Sequence, residues 1–180
     1  MDPKYVIVTD ASSQQVDGEI YSASAGIIID METNDRYTFS EFLDVGRDTA
    51  YAELFAIQYA IREIMDRSYK LTGILIFSDS EGSVNYLNSD GKIKESSTKA
   101  VEEIRKWLKS YLLHNKLYVT KAVHIKSHTS DLNKMRNHFK KAGLNFNDKT
   151  IRTLIDLNHE VDHLAGETLK DGLRKRKLII

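Results

Sequence analysis

Leu71-Thr72-Gly73-Ile74-Leu75-Ile76-Phe77-Ser78-Asp79-Ser80 is the stretch on which the fold turns. Its middle is an apolar run of strand length, made of residues that suit a pleated surface. Runs of this kind form central strands covered on both faces. The run stops at a carboxylate, Asp79, with a serine on either side. A charged side chain at the end of a buried strand is costly unless something compensates it. Ends of central strands are also where mixed α/β folds place their chemistry. The rest of the chain is read for what sits opposite Asp79.

Working outward, Tyr5-Val6-Ile7-Val8-Thr9 is a strand, and it too stops at a carboxylate, Asp10. Ala11 to Gly18 is polar and turn-like. Tyr21–Ile29 and Arg36–Leu43 read as two more strands around a turn at 30–35, which makes a three-strand antiparallel meander. A helix is expected from Asp48-Thr49 to about Asp66. After the strand at 71–78 come a short helix over Glu81–Leu87, a break at Asn88–Gly91 and a longer helix over Ser96–Leu113. Leu117–Ile125 is a fifth strand. Residues 127–149 are polar and basic, with room for a short helix over Leu132–Ala142 ended by Gly143. A last helix runs from Asp148 or Thr150 to Leu169, followed by a charged, frayed tail. This order predicts an α/β fold: a mixed five-stranded sheet, a three-strand antiparallel meander plus two parallel strands, flanked by helices.

A length of 180 residues points to one domain with a sizeable core. The contents, 41% hydrophobic and 29% charged, are those of a soluble globular protein. No apolar run reaches about eighteen residues, so no membrane span is expected. Met1-Asp2-Pro3-Lys4 lacks the apolar core of a signal peptide. The absence of cysteine excludes disulfides and thiolate metal sites, and it fits a cytoplasmic location. The formal net charge is zero, but its distribution is uneven. Residues 1–60 carry 3 Lys/Arg against 11 Asp/Glu, whereas residues 121–180 carry 13 against 7. The densest basic cluster is Arg174-Lys175-Arg176-Lys177. Such a run is either a solvated face or a contact for a polyanion.

Each long helix carries an anomaly. Side chains turn by about 100° per residue along a helix. In the first, Ile57, Ala60 and Ile64 line up with Glu53, which puts that carboxylate on the apolar stripe. In the last, Ile151, Ile155 and Leu169 line up with Asp162, flanked by Asn158 and Ala165, so Asp162 is expected on the buried face as well. Asp10, Glu53, Asp79 and Asp162 thus converge on one partly buried place. They cannot all be ionised there without a compensating charge. Oxygen ligands without cysteine suit Mg²⁺ or Mn²⁺ better than zinc. Two such ions about 4 Å apart clamp the attacking and leaving oxygens of a phosphoryl transfer.

On these residues the chain resembles the ribonuclease H family. The matching stretches are Val8-Thr9-Asp10-Ala11-Ser12, Ala52-Glu53-Leu54-Phe55-Ala56-Ile57, Phe77-Ser78-Asp79-Ser80, Ile125-Lys126-Ser127-His128 and Asn158-His159-Glu160-Val161-Asp162-His163-Leu164-Ala165. They span about residues 4–170 in the family's order. The resemblance implies an endonuclease that hydrolyses the RNA strand of RNA–DNA hybrids, leaving 5′-phosphate and 3′-hydroxyl ends. It implies two Mg²⁺ ions, with Mn²⁺ as a substitute, held by Asp10, Glu53, Asp79 and Asp162. His128 takes the place of the family's mobile histidine, and Asn158 the place that supports the histidine loop. Ser12, Thr49, Ser80 and Asn158 fall at substrate-facing positions. The family's frequent Asp-Gly is Asp10-Ala11 here, Thr49-Ala50 stands where minor-groove amides are common, and Glu81 where a glutamine is common. The implied layout is a single domain over 1–172 with an insertion at about 129–149, then a basic tail over 173–180, acting as a monomer without an obligate protein partner.

Alternatives on the same fold are a non-catalytic binding module and a nuclease for another nucleic acid. A proofreading-type exonuclease would want an acid where Ser12 stands, and an integrase would drop Glu53. Trp107 reads as core, His163 as surface and His124 as part of the fifth strand. His114, His138 and His159 have no evident partner. Ser78 and Ser80 lack a base nearby in sequence, which argues against a serine hydrolase.

Overall fold

Along β1 (Tyr5–Val16) the side chains alternate between two cores. Tyr5 and Ile7 face the layer of α1 (Thr49–Arg67) and α3 (Lys99–His114), where Ile57, Ile61, Ile64 and Leu108 are buried. Val6 and Val8 face α4 (Leu132–Lys141) and α5 (Asp148–Lys175), among Phe77, Phe139, Ile151 and Val161. A strand covered on both faces is apolar without a break, which is why 5–8 and 74–77 read as continuous runs. The computed structural model describes residues 3–43, 45–67, 72–88, 98–114, 117–125 and 131–179.

β2 (Glu19–Asp30), β3 (Arg36–Phe42), β4 (Thr72–Ser78) and β5 (Leu117–His124) complete the sheet, and α2 (Glu81–Asn88) follows β4. The strand order is β3-β2-β1-β4-β5. β1, β2 and β3 form the expected antiparallel meander, β4 runs parallel to β1, and β5 runs parallel to β4. The expected α/β architecture, a mixed five-stranded sheet flanked by helices, is the one observed. Among the described residues no helix is long and apolar enough to cross a membrane.

Three boundaries differ from the sequence reading, each for a physical reason. β1 does not stop at Asp10. It stays paired with β2 from Tyr5↔Asp30 to Val16↔Glu19, and the hairpin closes at Asp17-Gly18 with φ of 50° and 85°. Positive φ at both turn residues matches the twist of the strands. The stretch read as a turn is thus the polar, partly exposed β1 side of a hairpin arm beyond the end of β4.

α5 does not stop at Leu169 but runs to Lys175, so the domain boundary expected at 172 falls inside a helix. Nor is the tail frayed over its described residues. Leu178 donates its backbone N–H to the Leu173 carbonyl at 3.0 Å, and Leu178 and Ile179 pack on a small core of Tyr21, Ala23, Leu169 and Leu173.

Within the expected insertion, α4 is capped by Asp131, whose side chain accepts from the backbone N–H groups of Asn133 and Lys134. Its Met135 and Phe139 are fully buried, and Phe139 meets Phe77 edge-on at 6.0 Å. Two polar contacts tie α4 to β5. His138 Nε2 lies 2.5 Å from the His124 carbonyl oxygen, and Lys121 donates to the Ala142 carbonyl. His138 therefore has a partner that the sequence did not reveal. Trp107 is half-buried against the α1 core and stacks on Tyr111 with ring centroids 4.2 Å apart.

Candidate active site

The parallel pairing of β1 with β4 ends where β4 ends. Thr9 of β1 pairs with Ser78 of β4, so Asp10 and Asp79 follow at adjoining positions. α1 brings the third carboxylate. Asp48 accepts from the Tyr51 backbone N–H at 2.9 Å, which caps the helix start, and Ser24 Oγ donates to the Ala52 carbonyl at 2.6 Å, which ties the first turn to β2. Glu53 follows directly, on the buried side of the helix, with Ser78 Oγ donating to its Oε2 at a long 3.5 Å.

Asp10, Glu53 and Asp79 each offer a carboxylate oxygen, and these oxygens lie within 4.8 Å of one another. Asp10 is 3% exposed, Glu53 is 5% exposed, and Asp79 is half-buried. Burial, then the charge of Asp79, pushes the Asp10 carboxyl up to about 8, although the Ala11 backbone N–H donates to its Oδ1 at 2.7 Å and acts the other way. Burial, then the charges of Asp10 and Asp79, holds Glu53 well above the usual carboxylate range. The cluster is therefore self-repelling and incompletely ionised on its own. It fits a divalent cation: every donor is a hard oxygen, and the charge that would relieve the repulsion is positive.

The other sequence-derived candidates divide. Asp162 is exposed rather than buried, because the buried stripe of α5 runs through Asn158, Val161 and Ala165 and leaves Asp162 one residue round. Its charge still adds to the upward shift of Asp10, after the larger effects of burial and Asp79, while the carboxylate oxygens that lie together are those of Asp10, Glu53 and Asp79. His128 lies outside the described residues. Ser12 is half-buried on the hairpin arm. Thr49 is exposed and donates from Oγ1 to Ser13 Oγ at 3.0 Å. Ser80 caps α2, accepting from the Ser83 backbone N–H at 3.3 Å and donating to Ser83 Oγ at 3.0 Å. Asn158 is 3% exposed, and its Oδ1 has no partner among the described residues.

Sequence reading missed Ser13. Its Oγ lies 2.6 Å from Ser22 Oγ, and Ser22 Oγ donates to the Arg47 carbonyl at 2.6 Å. With Thr49 this forms a polar chain from the hairpin arm to the start of α1. Nothing in the sequence signals it, because 11–18 reads as a turn.

With this geometry in place, comparison with known proteins is informative. Residues 9–115 match the family model described as reverse transcriptase-like. No curated protein matches the sequence. Among solved structures, LC11-RNase H1 from compost, in complex with an RNA/DNA hybrid, aligns with a TM-score of 0.64 at 18% identity, covering 94% of this chain and 99% of that one. RNase H1 of Halobacterium salinarum aligns with a TM-score of 0.54 at 13% identity, covering 68% of this chain and 86% of that one. A foamy viral protease-reverse transcriptase in complex with an RNA/DNA hybrid gives 0.57 at 17%, covering 92% of this chain and 20% of that one. At such identities the likeness is one of fold.

Proposed function

The chain belongs to the reverse transcriptase-like family and carries the ribonuclease H fold, and from that premise we propose that it is a Mg²⁺-dependent endonuclease for the RNA strand of RNA–DNA hybrids. The observation that carries this reading is the cluster of Asp10, Glu53 and Asp79 where the β1–β4 pairing ends and α1 begins. Buried carboxylates this close cost stability and serve no packing purpose. Phosphoryl transfer with divalent metal gives them one. Two of the similar structures were solved with RNA/DNA hybrids, which supports the choice of substrate.

Asp10, Glu53 and Asp79 would hold the metal, with Asp162 completing the set. Two bound Mg²⁺ ions, or Mn²⁺ in their place, would activate the attacking water and neutralise charge on the leaving oxygen. The chain's own groups prepare the site. The Ala11 N–H fixes Asp10 Oδ1, and the Ser78 hydroxyl points at Glu53. The polar chain of Thr49, Ser13 and Ser22 holds the hairpin arm against α1, and Ser12 and Thr49 would contact the sugar–phosphate backbone. His128 would pass a proton to the leaving 3′ oxygen or ease product release. The products would carry 5′-phosphate and 3′-hydroxyl ends.

The test is cleavage of sequence-matched hybrid, double-stranded RNA and double-stranded DNA with Mg²⁺, Mn²⁺ or chelator. Metal-dependent cutting of the hybrid's RNA strand alone is expected. Cutting of DNA duplex instead would reject the substrate, and no cutting of any duplex would reject the enzyme.

A further inference from the structure

We propose that the C-terminal end of α5 is a second nucleic-acid contact, which grips the phosphate backbone of the duplex about 20 Å along the helix axis from Asp162. The proposal rests on the nuclease reading above. Arg174, Lys175, Arg176 and Lys177 are all exposed. They are also held in place, which a frayed tail would not achieve. α5 stays helical to Lys175, Lys177 donates its backbone N–H to the Arg174 carbonyl at 2.9 Å, and the Arg176 guanidinium lies over the Phe42 ring at 5.2 Å. Leu178 and Ile179 then fold back onto Leu173 and Tyr21. Cations fixed on such a base lose less freedom on meeting a phosphate than cations on a loose chain.

The cluster shares α5 with Asp162. At a rise of about 1.5 Å per residue, Lys175 stands about 20 Å along the α5 axis from Asp162. The hairpin arm of β1 and β2 extends about as far beyond Asp10, at about 3.4 Å per residue. Leu169 and Leu173 of α5 pack on Tyr21 and Ala23 at the base of that arm. Asp162, Lys170 and Arg174 are all exposed on α5, with about 120° of turn around the helix between Asp162 and Arg174. Beside the cluster a cleft of about 460 Å³ opens between β3 and α5, lined among others by Ser40, Thr168, Lys175 and Arg176, a set of donors that suits a phosphate. Asp171 also lines it and pairs with Arg174 at 3.4 Å. That pair is exposed and so is readily exchanged for a phosphate partner. Charge argues the same way. The carboxylate end of the molecule is acidic, and a polyanion resting on it needs cations further along its length.

The test uses the full chain with Arg174→Gln, Lys175→Gln and Lys177→Asn combined. Asparagine accepts the positive φ of 59° at 177, and Arg176 is kept because it covers Phe42. Binding of a labelled hybrid of about 20 base pairs is followed in chelator against salt. The slope of log affinity on log salt is expected to shrink by about 0.9 per lost contact, with an affinity loss of about tenfold or more at low salt. A Lys4→Gln/Arg62→Gln variant, altered away from this end of α5, should keep the wild-type slope. With Mg²⁺ present, wild type should cut where at least about six base pairs remain on one side, from 20 Å at about 3.4 Å per pair, and the triple variant should cut closer to the end. If the triple variant fails to fold, Lys175→Cys in this cysteine-free chain serves instead, its thiol labelling slowed several-fold by the hybrid. A wild-type slope in the folded triple variant, or labelling unaffected by the hybrid, overturns the proposal. Failure of wild type to cut any duplex overturns only the nuclease reading, because the salt slope is read without cleavage.

Discussion

Asp10 sets the behaviour of the site at the scale of single residues. Its carboxyl is pushed from 3.8 up to about 8 in the folded chain. Between those values the folded state holds a proton that the unfolded chain has released. The stability this contributes is fully present below about pH 4 and is lost as pH rises through about 8. Asp10→Asn removes that loss. In chelator, the difference in melting temperature between Asp10→Asn and wild type should therefore widen from pH 4 to pH 8; a difference that narrows contradicts the burial argument. The same variant should lose several kcal/mol of transition-state stabilisation, about 10³-fold or more in cleavage rate, because it removes a metal-facing charge. His128→Ala should instead be slow but active, down by about 10²–10⁴-fold if the imidazole transfers the proton, with a pH profile altered around neutrality. An unchanged rate from about pH 6 to 9 would remove His128 from the mechanism. Asp10, Asp79 and Glu53 were legible in the sequence because a carboxylate beside a buried apolar run breaks a pattern. The exposure of Asp162 was not, since one residue's turn of about 100° separates a buried stripe from its edge. The Ser13 chain was not legible either, because hydroxyl contacts between distant segments leave no periodic trace.

At the scale of elements, periodicity revealed whatever is covered and missed whatever is wet. β4, the apolar half of β1 and the helices with one buried stripe were all legible. The β1 side of the hairpin arm beyond Asp10 was not, because its residues are polar and only partly covered. The end of α5 was missed for a related reason: its last turns pack on only a small core, against Tyr21 and Phe42, and its charges look like a tail. That contact is close. A Cβ at Gly172 would lie 2.0 Å from Phe42 Cδ2, whereas one at Gly166 would meet nothing within 4 Å. Overpacking costs about 1–3 kcal/mol, against about 1 kcal/mol gained when alanine replaces glycine in a helix. Gly172→Ala should therefore lower the melting temperature by a few degrees, at about 2–4 °C per kcal/mol for a chain of this size, and Gly166→Ala should raise it. Thermal unfolding of the two single variants gives the signs. A rise for Gly172→Ala would mean that α5 and β3 do not meet as closely as the glycine requires.

At the scale of the whole molecule, the sheet is a device for holding like charges together. Covered strands β1 and β4, with α1 beginning where their pairing ends, fix Asp10, Glu53 and Asp79 where they repel one another, and the surrounding cores supply the stability that the repulsion consumes. A module that only bound a partner would relax this arrangement at no cost to its task. An enzyme that recruits a cation cannot. The two readings differ in what added metal does to the whole fold. A ligand that binds only the folded state stabilises it by RT ln(1 + [L]/Kd), about 2.7 kcal/mol at a concentration of about 100 Kd. Mg²⁺ or Mn²⁺ titrated into the metal-free protein near pH 8 should raise the melting temperature progressively. Asp10→Asn should start from a higher melting temperature and respond much less, since it has both less repulsion to relieve and one ligand fewer. Ca²⁺ serves as a control for hard-cation binding without the same coordination demands, because its coordination is larger and more flexible than that of Mg²⁺. A wild-type melting temperature that stays flat through millimolar Mg²⁺ and Mn²⁺, in a protein that unfolds cooperatively, would leave the carboxylates without a cation and the nuclease reading without its chemistry.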